Sequence, residues 1–206
     1  MEHSAPNSTP FPAKTYLKAD MCLKMDKEQH QAETRLYKQV IGKCMYLATC
    51  TQPDIAWAVH ELARFIANHG EKHWTCTKHL LQYLSSTQSI GVILGHCDNP
   101  YPLLKALSDS DWVMGEHRKS ISGFIISLND LPISWSLKQQ AVVTLSCEAE
   151  YISCTHCVKQ ILWLHNLLAE LSFKQNDLTI LMCDKTGTVA CTHNPHSHTQ
   201  MKHILT

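Results

Sequence analysis

Residues 108–153 have the sequence SDSDWVMGEHRKSISGFIISLNDLPISWSLKQQAVVTLSCEAEYIS, and this stretch decides the fold. Two segments in it, residues 122–128 and 133–135, are short, rich in β-branched and aromatic residues, and separated by turn-forming residues around Asn129-Asp130. An apolar run at residues 103–107 leads into the stretch. We therefore predict three consecutive short strands here.

A long helical segment follows these strands. Between residues 144 and 171, apolar side chains recur at the spacing of one helix face; they include Ile152, Ile161, Leu164, Leu168 and Leu171. A fourth strand is predicted at residues 178–182, followed by Cys183-Asp184, and a short helix is predicted before Asn194-Pro195. This order of elements predicts an α/β fold in which helices pack on a mixed sheet.

The first half of the chain has a different pattern. Residues 1–33 are polar and contain several prolines, which predicts an extended lead-in. Helical patterns then predict three helices and a short strand: from Thr34, from Pro53 to about Gly70, over residues 71–84, and a strand at 90–94. Turn residues at 96–100 mark a boundary. We expect a small, mainly helical segment over residues 34–99 and a second domain over residues 100–206.

Composition excludes several classes of protein. The chain has 18 basic and 18 acidic residues, so its formal net charge is zero and gives no indication that it binds nucleic acid. No apolar run approaches the roughly 18–20 residues of a membrane span. The first residues, MEHSAPNSTPFPAK, lack the pattern of a secretory signal. We expect a soluble, intracellular, globular chain without a membrane partner.

Cysteine and histidine are frequent, with ten and 14 copies. In a chain without a secretory signal, these cysteines are expected to be reduced thiols. Cys154 and Cys157 have the spacing of a zinc clasp, and a second ligand pair could come from the histidine-rich end: His193, His196, His198 and His203. The alternative is that both cysteines are small apolar residues inside a helix.

Five carboxylates lie at the ends of predicted strands or at the start of the long helix. Asp109 and Asp111 follow the first strand of the second half, Glu148 and Glu150 lie in the first turn of the long helix, and Asp184 follows the fourth strand. Carboxylates that converge need a cation between them, and hard oxygen ligands favour Mg²⁺ or Mn²⁺. A pair of such ions is a device for phosphodiester hydrolysis. The alternative is that these are solvated surface acids, favoured by the helix dipole or by turns.

Four segments, in order, resemble the Copia-type retrotransposon Pol polyproteins. Residues 37–59, YKQVIGKCMYLATCTQPDIAWAV, resemble the pattern Y-R-x-x-I-G-x-L-M-Y-L-x-x-x-T-R-P-D-I-x-x-A-V at the end of the reverse transcriptase region. Residues 108–153 resemble S-D-A-D-W-A-G, R-S-T-S-G-Y, P-I-S-W-x-S-K-K-Q and L-S-S-T-E-A-E-Y of the ribonuclease H domain. Residues 161–171 are similar to L-W-L-R-x-L-L-x-E-L, and residues 183–204 to C-D-N-Q-S-A-I followed by N-P-x-x-H-x-R-T-K-H-I.

This resemblance implies a ribonuclease H-like domain with a mixed five-stranded sheet and flanking helices. It also implies that Asp109, Glu148 and Asp184 are the catalytic, metal-binding carboxylates, holding two Mg²⁺ or Mn²⁺ ions. The substrate would be an RNA–DNA hybrid whose RNA strand is cut, and the partner would be the rest of the Pol polyprotein. Phosphate contacts are expected from lysines: Lys119, Lys138 and Lys202. The expected location is the cytoplasm, a virus-like particle or the nucleus.

Departures from the family pattern leave a second interpretation open. Lys185 follows Asp184 directly, and the chain ends shortly after K-H-I, before the fourth acidic residue and last helix that ribonucleases H use. The domain over residues 100–206 is therefore expected to be truncated at its carboxyl end. The polymerase motif Y-x-D-D does not occur in the chain, so no polymerase activity is expected. The alternative function is a non-catalytic remnant or a module that binds nucleic acid or protein.

Overall fold

The computed structural model describes residues 5–23, 36–91, 103–111, 120–140 and 146–184. The chain divides into two compact units, Met1–Val92 and Ile93–Thr206. None of the described helices is long and apolar enough to cross a membrane.

The first unit is built from three α-helices: α1 (Tyr37–Cys50), α2 (Ala56–Ala63) and α3 (Glu71–Ser86). Short 3₁₀ helices lie at Ala19–Met21 and at Pro53–Ile55, directly before α2. The second helix was expected to continue to about Gly70 but ends at Ala63. The backbone N–H groups of Phe65 and Ile66 bond to carbonyls three residues back, which tightens the chain into a turn.

The core of the first unit is formed where the three helices meet. Tyr37, Ile41, Leu62 and Leu80 are completely buried. The Tyr37 hydroxyl donates a 2.8 Å hydrogen bond to the Leu62 carbonyl, which satisfies the polar atom that this ring carries into the core.

Residues 5–23 belong to this unit rather than forming a separate lead-in. Phe11 and Leu17 are buried in its core. The Asn7 amide donates to the His79 carbonyl of α3 at 3.2 Å, and Asn68 exchanges two hydrogen bonds with the backbone of Leu23. The polar, proline-containing pattern of this segment therefore reflects an irregular chain held by helices, not an unpacked one.

The second unit contains β1 (Leu104–Asp111), β2 (Ile121–Leu128), β3 (Leu131–Gln139), α4 (Ser146–Glu170) and β4 (Ile180–Cys183). The sheet order is β3-β2-β1-β4, with β1–β2 and β2–β3 antiparallel and β1–β4 parallel. Asn129 and Asp130 join β2 to β3 and both have positive φ, 51° and 66°, as the tight hairpin turn of type I′ requires. The predicted mixed α/β arrangement is confirmed.

The expected fifth strand is not found among the described residues, which form four. Of the segment predicted as a strand at 90–94, Ile90 and Gly91 are not in a strand, and the rest lies outside the described residues. The helix predicted before Asn194 also lies outside them.

One face of the sheet is covered by α4. Leu104, Ala106 and Ile126 pack against buried residues of the helix: Cys157, Ile161, Leu164 and Leu168. Alternate residues of β1 face the helix, as the period of a strand requires, so Ser108 and Ser110 are also buried on that side.

Candidate metal centre

The inner face of α4 carries a carboxylate into the structure. Counting back from the apolar positions Ile161 and Cys157, steps of four and three residues reach Ser153 and then Glu150, and both are completely buried. Gln140, the residue directly after β3, donates a 2.8 Å hydrogen bond to the Ala149 carbonyl and thereby fixes the start of the helix against the sheet. The side chain of Glu150 is therefore held by the packing of α4.

Glu150 is hydrogen-bonded to the strand beneath it. Its Oε1 accepts a 3.2 Å hydrogen bond from the backbone N–H of Ser110, and its Oε2 lies 3.8 Å from the Cys183 Sγ, which is placed to donate. Deeper under the helix, the Ser108 hydroxyl donates to Ser153 Oγ at 2.9 Å. Ser153 Oγ in turn lies 2.8 Å from the Asp109 carbonyl oxygen. These bonds hold α4 directly over the carboxyl end of β1.

Three potential metal ligands converge at this point. One ligand atom each from Glu150, Cys183 and Asp184 lies within 4.8 Å of the others. Glu150 is buried and Asp184 is exposed, so the group opens from the interior towards solvent. The two carboxylates suit Mg²⁺ or Mn²⁺, whereas the cysteine sulfur suits zinc.

Only one of the three carboxylates predicted from the resemblance belongs to this group. Asp184 is a member, but Glu148, which is half-buried in the same turn as Glu150, is not. Asp109 is not a member either. It is level with Asp184, because Ser108 pairs with Cys183 in the parallel strands, but its side chain is exposed while its neighbours face α4.

The predicted zinc clasp is divided between two environments. Cys157 is completely buried among apolar side chains, and burial raises its pKa to about 11. Cys154 is partly exposed instead. Burial, followed by the neighbouring Cys183 thiol, raises the pKa of Cys154 to about 12. Its histidine partners were expected at the end of the chain, which lies outside the described residues.

Two lysines from different elements lie near His156 of α4. Burial lowers the pKa of His156, and the charges of Lys138 on β3 and Lys159 on α4 lower it further. Of the lysines expected to contact phosphate, Lys138 is exposed, and Lys119 and Lys202 lie outside the described residues, as does Lys185.

Sequence reasoning named Glu150 among the carboxylates that could converge, but the resemblance assigned the metal-binding role to Glu148, and Ser153 and Gln140 were missed. The signal for Glu150 and Ser153 was present in the helical period. The apolar residues Leu168, Leu164 and Ile161 recur at steps of three and four residues. When these steps are continued towards the start of the helix, they arrive at Glu150 and not at Glu148. Nothing local marks Gln140, because its partners come from a strand and a helix.

Known proteins resemble the chain over most of its length. It is 34% identical over 206 residues, 99% of the chain, to the retrovirus-related Pol polyprotein from transposon TNT 1-94 of Nicotiana tabacum, of which it covers 15%. It is 36% identical over 170 residues, 82% of the chain, to the retrovirus-related Pol polyprotein from transposon RE1 of Arabidopsis thaliana, of which it covers 11%.

A shorter relative is the secreted RxLR effector protein 161 of Plasmopara viticola. The identity is 36% over 130 residues, which are 62% of the chain and 90% of that protein. No family model and no solved structure matches the chain. The chain thus spans 15% or less of the length of the two polyproteins.

Proposed function

The chain belongs to the retrovirus-related Pol polyproteins of Copia-type retrotransposons, and from this membership we propose that its second unit is a ribonuclease H-like domain that hydrolyses the RNA strand of RNA–DNA hybrids. The first unit is then the end of the reverse transcriptase region. The rest of the polyprotein is the partner that supplies further segments.

The observation that carries the proposal is the buried carboxylate of Glu150 beside Asp184. Two carboxylates so close repel each other when ionised, and a cation between them removes that repulsion. They lie where the parallel strands β1 and β4 end, so the site opens at an edge of the sheet. Oxygen donors of this kind fit Mg²⁺ or Mn²⁺.

In this proposal Glu150 and Asp184 hold the cation, and Asp109, level with Asp184 on the neighbouring strand, contributes the third carboxylate. A pair of such ions, when bound, activates water for attack and stabilises the leaving oxygen. The chain's own contribution is positioning. The Ser110 N–H orients Glu150, and Ser153 keeps the end of β1 against the helix.

The hybrid would be recognised by its shape, phosphates and 2′-hydroxyl groups rather than by its base sequence. Lys138 on β3 and Lys159 on α4, whose charges both act on His156, offer positive charge for phosphate contacts. These contacts would be weakened by salt, because phosphate binding releases counterions.

The decisive experiment compares two glutamates in one helical turn. Glu150→Gln removes the charge but keeps an oxygen that can accept from the Ser110 N–H, so the fold is retained. We expect it to lower the Mg²⁺- or Mn²⁺-dependent cleavage of a labelled RNA–DNA hybrid by at least about 100-fold, since even outer partners of metal ligands change activity by about 10–100-fold. Glu148→Gln is the matched control and should retain most of the activity.

Further variants separate the remaining interpretations. Asp184→Asn and Asp109→Asn are expected to lose cleavage in the same assay. Loss in Glu148→Gln with full activity in Glu150→Gln would transfer the role to Glu148. Salt-sensitive binding of the hybrid without cleavage, unchanged in all four variants, would show the non-catalytic binding module instead.

A further inference from the structure

The side chain of Gln140 joins two strands of the second unit to its long helix. Gln140 lies directly after β3 and is buried. Its Nε2 donates a 2.7 Å hydrogen bond to the Ser122 Oγ of β2 and a 2.8 Å hydrogen bond to the Ala149 carbonyl of α4. Its backbone N–H donates to the Ser120 carbonyl at 2.8 Å and so continues the pairing of β2 with β3 by one residue. Both hydrogens of the amide nitrogen are therefore used, and the residue that carries the amide is fixed by the sheet.

These bonds lie beside the one that holds the Glu150 carboxylate. Ser122 pairs with Ser110 in the β1–β2 ladder, and the Ser110 N–H is the group that donates to Glu150. Ala149 is the residue directly before Glu150 in α4. Two adjacent strands thus hold one turn of the helix: β1 through the carboxylate of Glu150, and β2 through the Gln140 amide and the backbone of Ala149.

The position of this turn decides whether the two carboxylates of the site can share a cation. Glu150 is on α4, whereas Asp184 directly follows β4, and ligand atoms of the two lie within 4.8 Å of each other. Metal ligands must keep their distances to within about 0.2 Å. A small displacement of the start of α4 from the sheet would therefore weaken the binding of a cation by both residues together.

We propose that Gln140 is a positioning residue of the metal centre, whose amide seats the first turn of α4 so that the Glu150 carboxylate meets Asp184. Its effect on catalysis rests on the proposed function, whereas the seating of the helix is a property of the metal-free chain. An amide is required because both partners are oxygen acceptors, Ser122 Oγ and the Ala149 carbonyl. An ionised carboxylate has no hydrogen to donate to them.

The first test follows amide hydrogen exchange in the full chain without metal. Gln140→Met keeps the length of the side chain and removes both hydrogen bonds, so the packing of the site changes little. We expect the Ser110 amide and the amides of residues 150–153, which bond to the carbonyls of the first helical turn, to exchange about 10-fold faster than in the wild type. Unchanged exchange at these amides would overturn the proposal.

The second test measures the metal itself. Mn²⁺ binding, followed by the electron paramagnetic resonance signal of the free ion, should be about 10-fold weaker in Gln140→Met. Half-maximal cleavage of the hybrid should need a correspondingly higher Mg²⁺ concentration, with the KM for the hybrid unchanged. Ser122→Ala removes only the anchor on β2 and should weaken Mn²⁺ binding in the same direction, which provides a milder variant where Gln140→Met does not fold.

Leu168→Ala is the matched control, because it removes a buried side chain at the other end of α4. It should lower the Tm but keep the metal requirement of the wild type at temperatures where both are folded. An unchanged Mn²⁺ affinity in Gln140→Met, or an equal loss in Leu168→Ala, would overturn the positioning role and leave the proposed nuclease intact. A wild-type chain that neither binds Mn²⁺ nor cleaves the hybrid would overturn the proposed function, while the exchange at Ser110 would still decide whether Gln140 seats the helix.

Discussion

Replacing Gly70 by alanine tests whether residues 5–23 are an integral part of the first unit. A Cβ at position 70 would overlap the backbone carbonyl of Met21, which cannot move away as a flexible side chain could. The backbone of Gly70, with φ −100° and ψ −174°, is one that alanine adopts without strain. Backbone strain therefore makes no contribution, and most of the destabilisation comes from the contact with the segment around Met21.

The expected loss combines two effects. Overpacking of a close contact costs about 1–3 kcal/mol. Alanine is also poorer than glycine at the residue before a helix, which adds roughly 0.5–1 kcal/mol at the start of α3. We therefore expect Gly70→Ala to lower the free energy of unfolding of the first unit by about 1.5–4 kcal/mol, a large part of the total stability of a small domain.

The assay is urea unfolding of the full chain, followed by the helical circular dichroism signal. Gly42→Ala is the matched control, because Gly42 lies inside α1 and no heavy atom lies within 4 Å of the position that its Cβ would take. It should stabilise the unit by about 0.5–1 kcal/mol. The reasoning is refuted when Gly70→Ala unfolds within about 0.5 kcal/mol of the wild type.

Two further predictions concern pH and a buried hydroxyl. Burial, and then the nearby His69, lowers the pKa of His73 from 6.5 to about 4. As the pH falls, the unfolded chain therefore takes up the proton before the folded chain does, and the free energy of unfolding of the first unit should fall by about 2–3 kcal/mol between pH 6.5 and pH 4. His73→Gln should flatten this dependence in unfolding measurements across that range, and an unchanged slope would contradict it. Ser153→Ala leaves the Ser108 hydroxyl without its acceptor and should destabilise the second unit by about 1–3 kcal/mol, whereas Ser127→Ala, which breaks only a 3.5 Å bond, should be near neutral in thermal unfolding.

Periodicity in the sequence was sufficient to locate the helices, because their buried residues recur at regular spacing. The long helix was predicted over residues 144–171 and is found at Ser146–Glu170, and the third helix of the first unit was placed within a turn of its end. The ends of the strands were not marked by the apolar pattern. The third strand, predicted at 133–135, extends over Leu131–Gln139, because pairing with β2 continues beyond the apolar residues.

The sequence by itself determined the order of helices and strands, the hairpin at Asn129-Asp130 and the family, because these depend on local pattern and ordered motifs. Only the tertiary structure decided which side chains meet. It brings Glu150 rather than Glu148 to Asp184, since two residues along a helix turn a side chain by more than half of a circle. It also brings the Cys183 thiol within 3.8 Å of the Glu150 carboxylate, because contacts across a helix and a sheet depend on packing and not on spacing along the chain.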